Sequence, residues 1–201
     1  MHEKMKAIIL AAGEGTRLRP FTYSIPKVMV PVANRPIIEW VVEALVENNI
    51  RDIIMVVGYK KERIMSHFED GKKLGARLEY VEERRQLGTA HALSCAKQHI
   101  DGRFIVLPGD NIIGPDVISD LLHKSKGNSL VVTPGDTPSK HGMIVLSGDS
   151  VREILEKDDM SATNLISTGI FTFEPDIFDD VDAIENEGKY DIGKRKISQC
   201  E

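Results

Sequence analysis

The sequence predicts an α/β fold, doubly wound around a mostly parallel, Rossmann-like sheet with a mixed antiparallel flank. Three observations predict it. Near-continuous hydrophobic runs recur at Ala7–Ala12, Ile53–Val57, Phe104–Leu107 and Leu130–Val132, as in strands covered on both faces. Helical patterns lie between these runs, in the strand–helix alternation of a parallel sheet. After residue 128 the grammar changes, and strand-like runs follow one another without long helices.

The elements follow in order. Ala7–Ala12 is the first strand and opens directly into glycine-rich sequence. Pro36–Glu47 places Ile37, Val41, Ala44 and Leu45 on one helical face, with Pro36 suited to the first turn. Ile53–Val57 is the next strand, followed by a helix over 60–68. A helix over 89–99 precedes the Phe104–Leu107 strand, and Pro115 opens another over 115–125. Leu130–Val132 completes the set of buried runs. Met143–Leu146, Val151–Leu155 and Thr168–Phe173 then form the flank that extends the sheet over its open edge. The chain reads as one domain over 1–201 with its core in 5–180, and 185–201 is expected to be loosely held.

Composition narrows the function. At 41% apolar and 28% charged the chain is ordinary globular protein, which excludes collagen, simple disorder and a disulfide scaffold. A formal charge of −5 supplies no global basic field, so no nucleic-acid partner is expected. No apolar run approaches the ~20 residues that span a bilayer, so no membrane partner is expected either. The short Ala7–Leu10 run after Met1–Lys6 is better read as a strand than as a signal-peptide core. Cys95 and Cys200 lack CxxC spacing, and the histidines at 2, 67, 91, 99, 123 and 141 form no ligand pair. Such usage is expected of a reducing cytoplasm.

Leu10-Ala11-Ala12-Gly13-Glu14-Gly15-Thr16-Arg17 follows the first strand, where an open α/β sheet binds its ligands. Small residues admit a ligand close to the backbone, whose N–H groups can face phosphate oxygens. Two better-known glycine motifs fit poorly. A dinucleotide fingerprint needs a third glycine and an immediate helix, and a Walker A loop needs Gly-Lys-Ser/Thr. Pro20, Pro26, Pro31 and Pro36 then punctuate a long aperiodic stretch that carries Arg17, Arg19 and Lys27. Prolines stiffen such a stretch, and loops this long in a compact domain are usually functional.

Gly13-x-Gly15-Thr16-Arg17-Leu18-x-Pro20, Pro26-Lys27, Pro31-Val32 and Asn34-Arg35-Pro36 together resemble the signature of the sugar-1-phosphate nucleotidylyltransferases. The likeness continues through Gln86-Leu87-Gly88-Thr89-Ala90, Gly109-Asp110, Gly142, Glu156-Lys157 and Thr168-Gly169. It implies attack of a sugar 1-phosphate on the α-phosphorus of a nucleoside triphosphate, giving an NDP-sugar and pyrophosphate. Two anions must meet, so charge neutralisation and alignment dominate and no side-chain nucleophile is required.

By that resemblance Arg17 grips the triphosphate and Lys27 acts as a point charge between the two phosphates. Asp110, just past a strand end, is expected to hold Mg²⁺ by hard oxygen, although an aspartate there is also an ordinary turn former. Leu10, Ala11, Ala12, Gly13, Gly15 and Thr16 form the nucleotide loop, with Gly88 and Thr89 as a close approach and a cap or base contact. Glu83 stands five residues before Gly88, where the pyrimidine enzymes carry a base-reading glutamine. An ionised carboxylate only accepts hydrogen bonds, which suits the N1–H and N2–H₂ edge of guanine. UTP or dTTP and GTP therefore stay open, as does a solvated Glu83. Gly142, Glu156, Lys157, Ser167 and Thr168 are expected on the sugar side, with Ser167 in place of a family asparagine.

The family's second metal ligand lies on a strand further along, and nothing after Asp191 resembles it. The chain is thus expected to lack the family's C-terminal portion, and to hold the metal more openly or turn over weakly. A non-catalytic nucleotide- or sugar-phosphate-binding module of the same fold is the competing reading. The resemblance leaves a homo-oligomer open.

Overall fold

A computed structural model describes residues 5–135, 143–154 and 163–183 in full, and the backbone of 155 and 184–186. Four strands form the parallel part of the central sheet: β1 (Lys6–Ala11), β4 (Asp52–Val57), β5 (Arg77–Glu82) and β6 (Phe104–Pro108). Their spatial order is β5-β4-β1-β6. β1 pairs with β4 on one side and with β6 on the other, so Leu10 lies opposite both Val56 and Pro108. The strand order therefore reverses beside β1, which opens a crevice at the carboxyl ends of β1 and β6.

The helices are α1 (Ile37–Glu47), α2 (Lys61–Phe68), α3 (Thr89–Cys95), α4 (Pro115–Lys124) and α5 (Ile177–Asn186). Period-two alternation along β1 divides the core. Ala7, Ile9 and Ala11 face a cluster with Val41 and Leu45 of α1, Ile64 of α2 and Ile118 of α4. Ile8 and Ala12 face the opposite cluster, with Leu93 of α3 and Phe178 of α5. Phe104 is fully buried there, stacked on Phe178 at 5.4 Å between ring centroids and tilted against Phe173 at 6.0 Å. Both faces of β1, β4 and β6 are covered, which is why these three strands show no polar alternation.

The flank consists of β7 (Ser129–Pro134), β8 (Met143–Ser147), β9 (Ser150–Leu155) and β10 (Leu165–Phe173). β10 runs antiparallel to β6 through Phe171–Phe173, and to β7 along its length. Its near end pairs with β8, which makes a hairpin with β9. The Leu130–Val132 run departs from expectation, because β7 is antiparallel and only half-buried. A short apolar run does not reveal whether one face or two is covered. β5 shows the reverse failure: its exposed, alternating pattern hides a parallel edge strand.

The stretch between β1 and α1 is more regular than its lack of period suggests. It winds through 3₁₀ turns at Thr16–Leu18, Phe21–Tyr23 and Lys27–Met29. A small hairpin follows, β2 (Pro31–Val32) with β3 (Arg35–Pro36), turning through Ala33 and Asn34, both at positive φ. That is the turn geometry whose twist suits a two-residue hairpin. No helix among the described residues is long and apolar enough to cross a membrane.

Candidate active site

The crevice beside β1 gathers most of the residues that the sequence singled out. β1 delivers Leu10 and Ala11 to its rim, and Ala12 and Gly13 continue past it. A Cβ added to Gly13 would meet no atom within 4 Å, so a ligand can approach its backbone closely. Gly15 is different. It adopts φ +69°, and a Cβ there would lie 2.5 Å from Cβ of Lys27. The glycine loop is thereby packed against the aliphatic stem of the lysine.

Lys27 is held over the end of β6 by its neighbours. Pro26 and Val28 are buried, and Val28 lies so close to Gly109 that an added Cβ would be 3.2 Å from its Cγ1. Gly109 N–H donates to the carbonyl of Leu10 at 2.9 Å, which ties the ends of β6 and β1 together. From this anchor Lys27 Nζ forms an ion pair with Asp110 Oδ2, both groups being partly exposed. Asp110 lies in the turn after β6, as an ordinary turn former would, and its carboxylate also pairs with Lys27.

The other two cations of the loop differ from each other. Arg19 donates to Glu14 Oε1 at 2.5 Å and sits 5.4 Å from the Tyr23 ring centroid. Its hydrogen bond to Glu14 raises its pKa further above the usual value. Arg17 is exposed, and among the described residues its guanidinium has no hydrogen bond or ion pair. Thr16 beside it is exposed too. The chain holds one arginine down and leaves the other available to an anion.

On the β5 side, Glu83 is 4% exposed and its Oε1 lies 2.7 Å from Nδ1 of His91 on α3. A solvated Glu83 is thus ruled out; one carboxylate oxygen is already engaged. Gly88 adopts φ 140° and is the N-cap of α3, so Thr89 is the first helical residue rather than the cap.

β10 borders the crevice on its other side. Between Ser167 and Phe171 it advances four residues while β7 advances two, from Val132 to Leu130, and Gly169 takes φ +78° within this bulge. Bulges of this kind re-aim side chains beside functional sites. Here the bulge lines a groove of about 450 Å³ with Ser167, Thr168, Gly169, Ile166, Thr133, Pro108 and Asn111. Thr168 spends its hydroxyl proton on the Val131 carbonyl at 2.7 Å, and Asn111 Nδ2 donates to the Thr168 carbonyl at 3.0 Å. Ser167 Oγ accepts from Gly169 N–H at 3.2 Å. Gly142, Glu156 and Lys157 lie outside the described residues.

From sequence alone, Asn111 and His91 have no place in the site. Asn111 follows Asp110 directly, and an amide one residue past a strand-end carboxylate is a signal that could have found it. Nothing in the sequence pairs His91 with Glu83 across a loop. Asp110 suits Mg²⁺ chemically, since this ion takes one or two carboxylates and fills its remaining positions with water and phosphate.

A three-layer α/β fold with a glycine loop at the switch point, and an arginine unpaired among the described residues, has the architecture of the nucleotide-handling class. Residues 6–199 match the nucleotidyl transferase family, and the chain belongs to it. It is 41% identical over 177 residues to the bifunctional protein GlmU of Methanococcus maripaludis, covering 87% of this chain and 41% of that protein. It is 36% identical over 198 residues to the UTP–glucose-1-phosphate uridylyltransferase AglF of Haloferax volcanii, covering 94% and 81%. The chain thus spans under half the length of the GlmU relative. A Bacillus anthracis structure described as a glucose-1-phosphate thymidylyltransferase, solved with sucrose, superposes with TM-score 0.80. At 24% identity over 93% of this chain and 85% of that one, it shows the shared fold.

Proposed function

We propose that this chain joins a nucleoside triphosphate to a sugar 1-phosphate, releasing pyrophosphate. The observation that carries the reading is that Lys27 packs under Gly15 of the glycine loop and pairs with Asp110 at the crevice the strand order creates. A phosphate oxygen of the sugar 1-phosphate attacks the α-phosphorus, and the bond from that phosphorus to the pyrophosphate oxygen breaks. Arg17 offsets charge on the departing pyrophosphate with its forked donors. Lys27, between the phosphates, lowers their mutual repulsion and aligns the attacking oxygen. Loop N–H groups from Gly13 to Thr16 contribute fixed partial charges. Asp110 would hold Mg²⁺, which when bound neutralises phosphate charge.

The bulge groove takes the sugar, with Ser167 and the backbone around Thr168 and Gly169 as its wall. Leu10–Gly13, Glu83, Gly88 and Thr89 surround the base. The Haloferax volcanii relative, a UTP–glucose-1-phosphate uridylyltransferase by name, supports a pyrimidine. A hydrogen-bond acceptor at Glu83, whose Oε1 already meets His91, supports guanine instead. The test is pyrophosphate release with Mg²⁺, each NTP and a panel of sugar 1-phosphates. Arg17→Ala should cut the rate on the order of 10²–10³-fold, the usual loss for one charge-stabilising group. Unchanged turnover in that variant removes Arg17 from the mechanism. Stabilisation by an NTP with no pyrophosphate formed would instead establish the binding-module alternative.

A further inference from the structure

The loop that presents Arg17 has no apolar anchor of its own. Every side chain from Thr16 to Phe21 is exposed, Phe21 to 71%. Something else must hold the backbone where the triphosphate needs it. Thr22, immediately after, is completely buried, although it is polar. Its hydroxyl donates to the carbonyl of Gly15 at 3.1 Å, and its own carbonyl accepts from the hydroxyl of Tyr59 at 2.9 Å. Tyr59 reaches the other end of the loop as well, because its backbone N–H donates to the Ala12 carbonyl at 3.0 Å.

One residue therefore clamps both ends of the loop. Tyr59 is itself fixed by the corner after β4. A Cβ on the preceding Gly58 would lie 2.9 Å from the carbonyl oxygens of both Ala12 and Glu83, so the corner is closed against β1 and β5 alike. From Tyr59 the contacts run through Thr22 to Gly15, and from Gly15 onto the stem of Lys27. The turn bond from Leu18 N–H to the Gly15 carbonyl, at 2.9 Å, places Arg17 within the same unit.

We propose that Tyr59 is a positioning residue for the transfer reaction: its hydroxyl and Thr22 form a polar staple that sets the glycine loop, and through it the spacing of Arg17 and Lys27. The inference rests on the transferase reading of the crevice. The staple acts on the triphosphate through the whole glycine loop and on the sugar phosphate through Lys27 alone. The groove at the β10 bulge is built from other residues, so nucleotide and sugar phosphate should respond differently to its loss.

Tyr59→Phe keeps the ring and removes the hydroxyl; Thr22→Val removes the other hydroxyl at equal volume; Thr22→Ser restores it. Amide hydrogen exchange of peptides spanning 13–24 and calorimetric binding of GTP, UTP and dTTP are read in each. Loss of one ordered hydrogen bond corresponds to roughly a tenfold change, so loop exchange should quicken and nucleotide affinity fall by about that factor in Tyr59→Phe and Thr22→Val. Thr22→Ser should behave like the parent. KM for the sugar 1-phosphate should change clearly less than nucleotide affinity, because only Lys27 links its site to the staple. Loop exchange unchanged in both variants overturns the proposal. So does an equal loss for both substrates accompanied by a drop in Tm, which marks a general structural role. If the parent protein binds no nucleotide at all, the transferase reading fails, and the exchange result still decides whether the staple orders the loop.

Discussion

Two glycines of one motif should fail for different reasons when each is replaced by alanine. At Gly15 the backbone sits at φ +69°, and the new Cβ would come within 2.5 Å of the Lys27 Cβ and 3.0 Å of its Cγ. The left-handed conformation costs an L-residue about 1–2 kcal/mol. The clash involves the root of the lysine, so a rotamer change cannot relieve it and the backbone must shift, adding roughly 1–3 kcal/mol. A total near ~3 kcal/mol corresponds to a Tm lower by roughly 6–12 °C in a chain of this size. Gly13 has no positive φ and no neighbour within 4 Å. Gly13→Ala should leave Tm unchanged or raise it slightly, by the ~0.4–1 kcal/mol of reduced unfolded-state entropy. It should nonetheless weaken nucleotide binding, because the methyl group projects into the space the phosphates would fill. Differential scanning calorimetry paired with NTP titration separates the two. Equal Tm losses in both variants, or undiminished binding in Gly13→Ala, would refute the division of labour argued for the loop.

Phe104→Ala removes a fully buried ring stacked on Phe178 and tilted against Phe173, and should cost about 3–5 kcal/mol, read by urea unfolding with unchanged m-value. Tyr80 is half-buried, and burial pushes its phenol up to about 12. Its proton is thus held more tightly folded than unfolded, so this contribution to stability is whole below pH ~10 and is lost as pH rises towards 12. Ultraviolet titration should show a late-ionising phase that Tyr80→Phe removes; its persistence in that variant would contradict the packing described.

The parallel core was legible in the sequence because burial on both faces leaves unbroken hydrophobic runs, as at Ala7–Ala12 and Ile53–Val57. β5 was not, since an edge strand with one wet face has the composition of a loop. Orientation was also hidden: Leu130–Val132 reads the same whether its partner runs parallel or antiparallel, and only pairing with β10 decides it.

The site divides along the same line. The order of residues alone determined which groups could do the chemistry: a glycine loop after the first strand, Arg17, Lys27 and a carboxylate at 110. Local sequence sets backbone freedom and side-chain chemistry, and these are written residue by residue. Only the tertiary structure decided that Lys27 meets Asp110, that Arg19 is spent on Glu14 while Arg17 is free among the described residues, that Glu83 is buried against His91, and that Tyr59 clamps a loop far from it in sequence. Those facts depend on which strand ends lie side by side, and that neighbourhood arises from the burial of the whole sheet rather than from any segment within it.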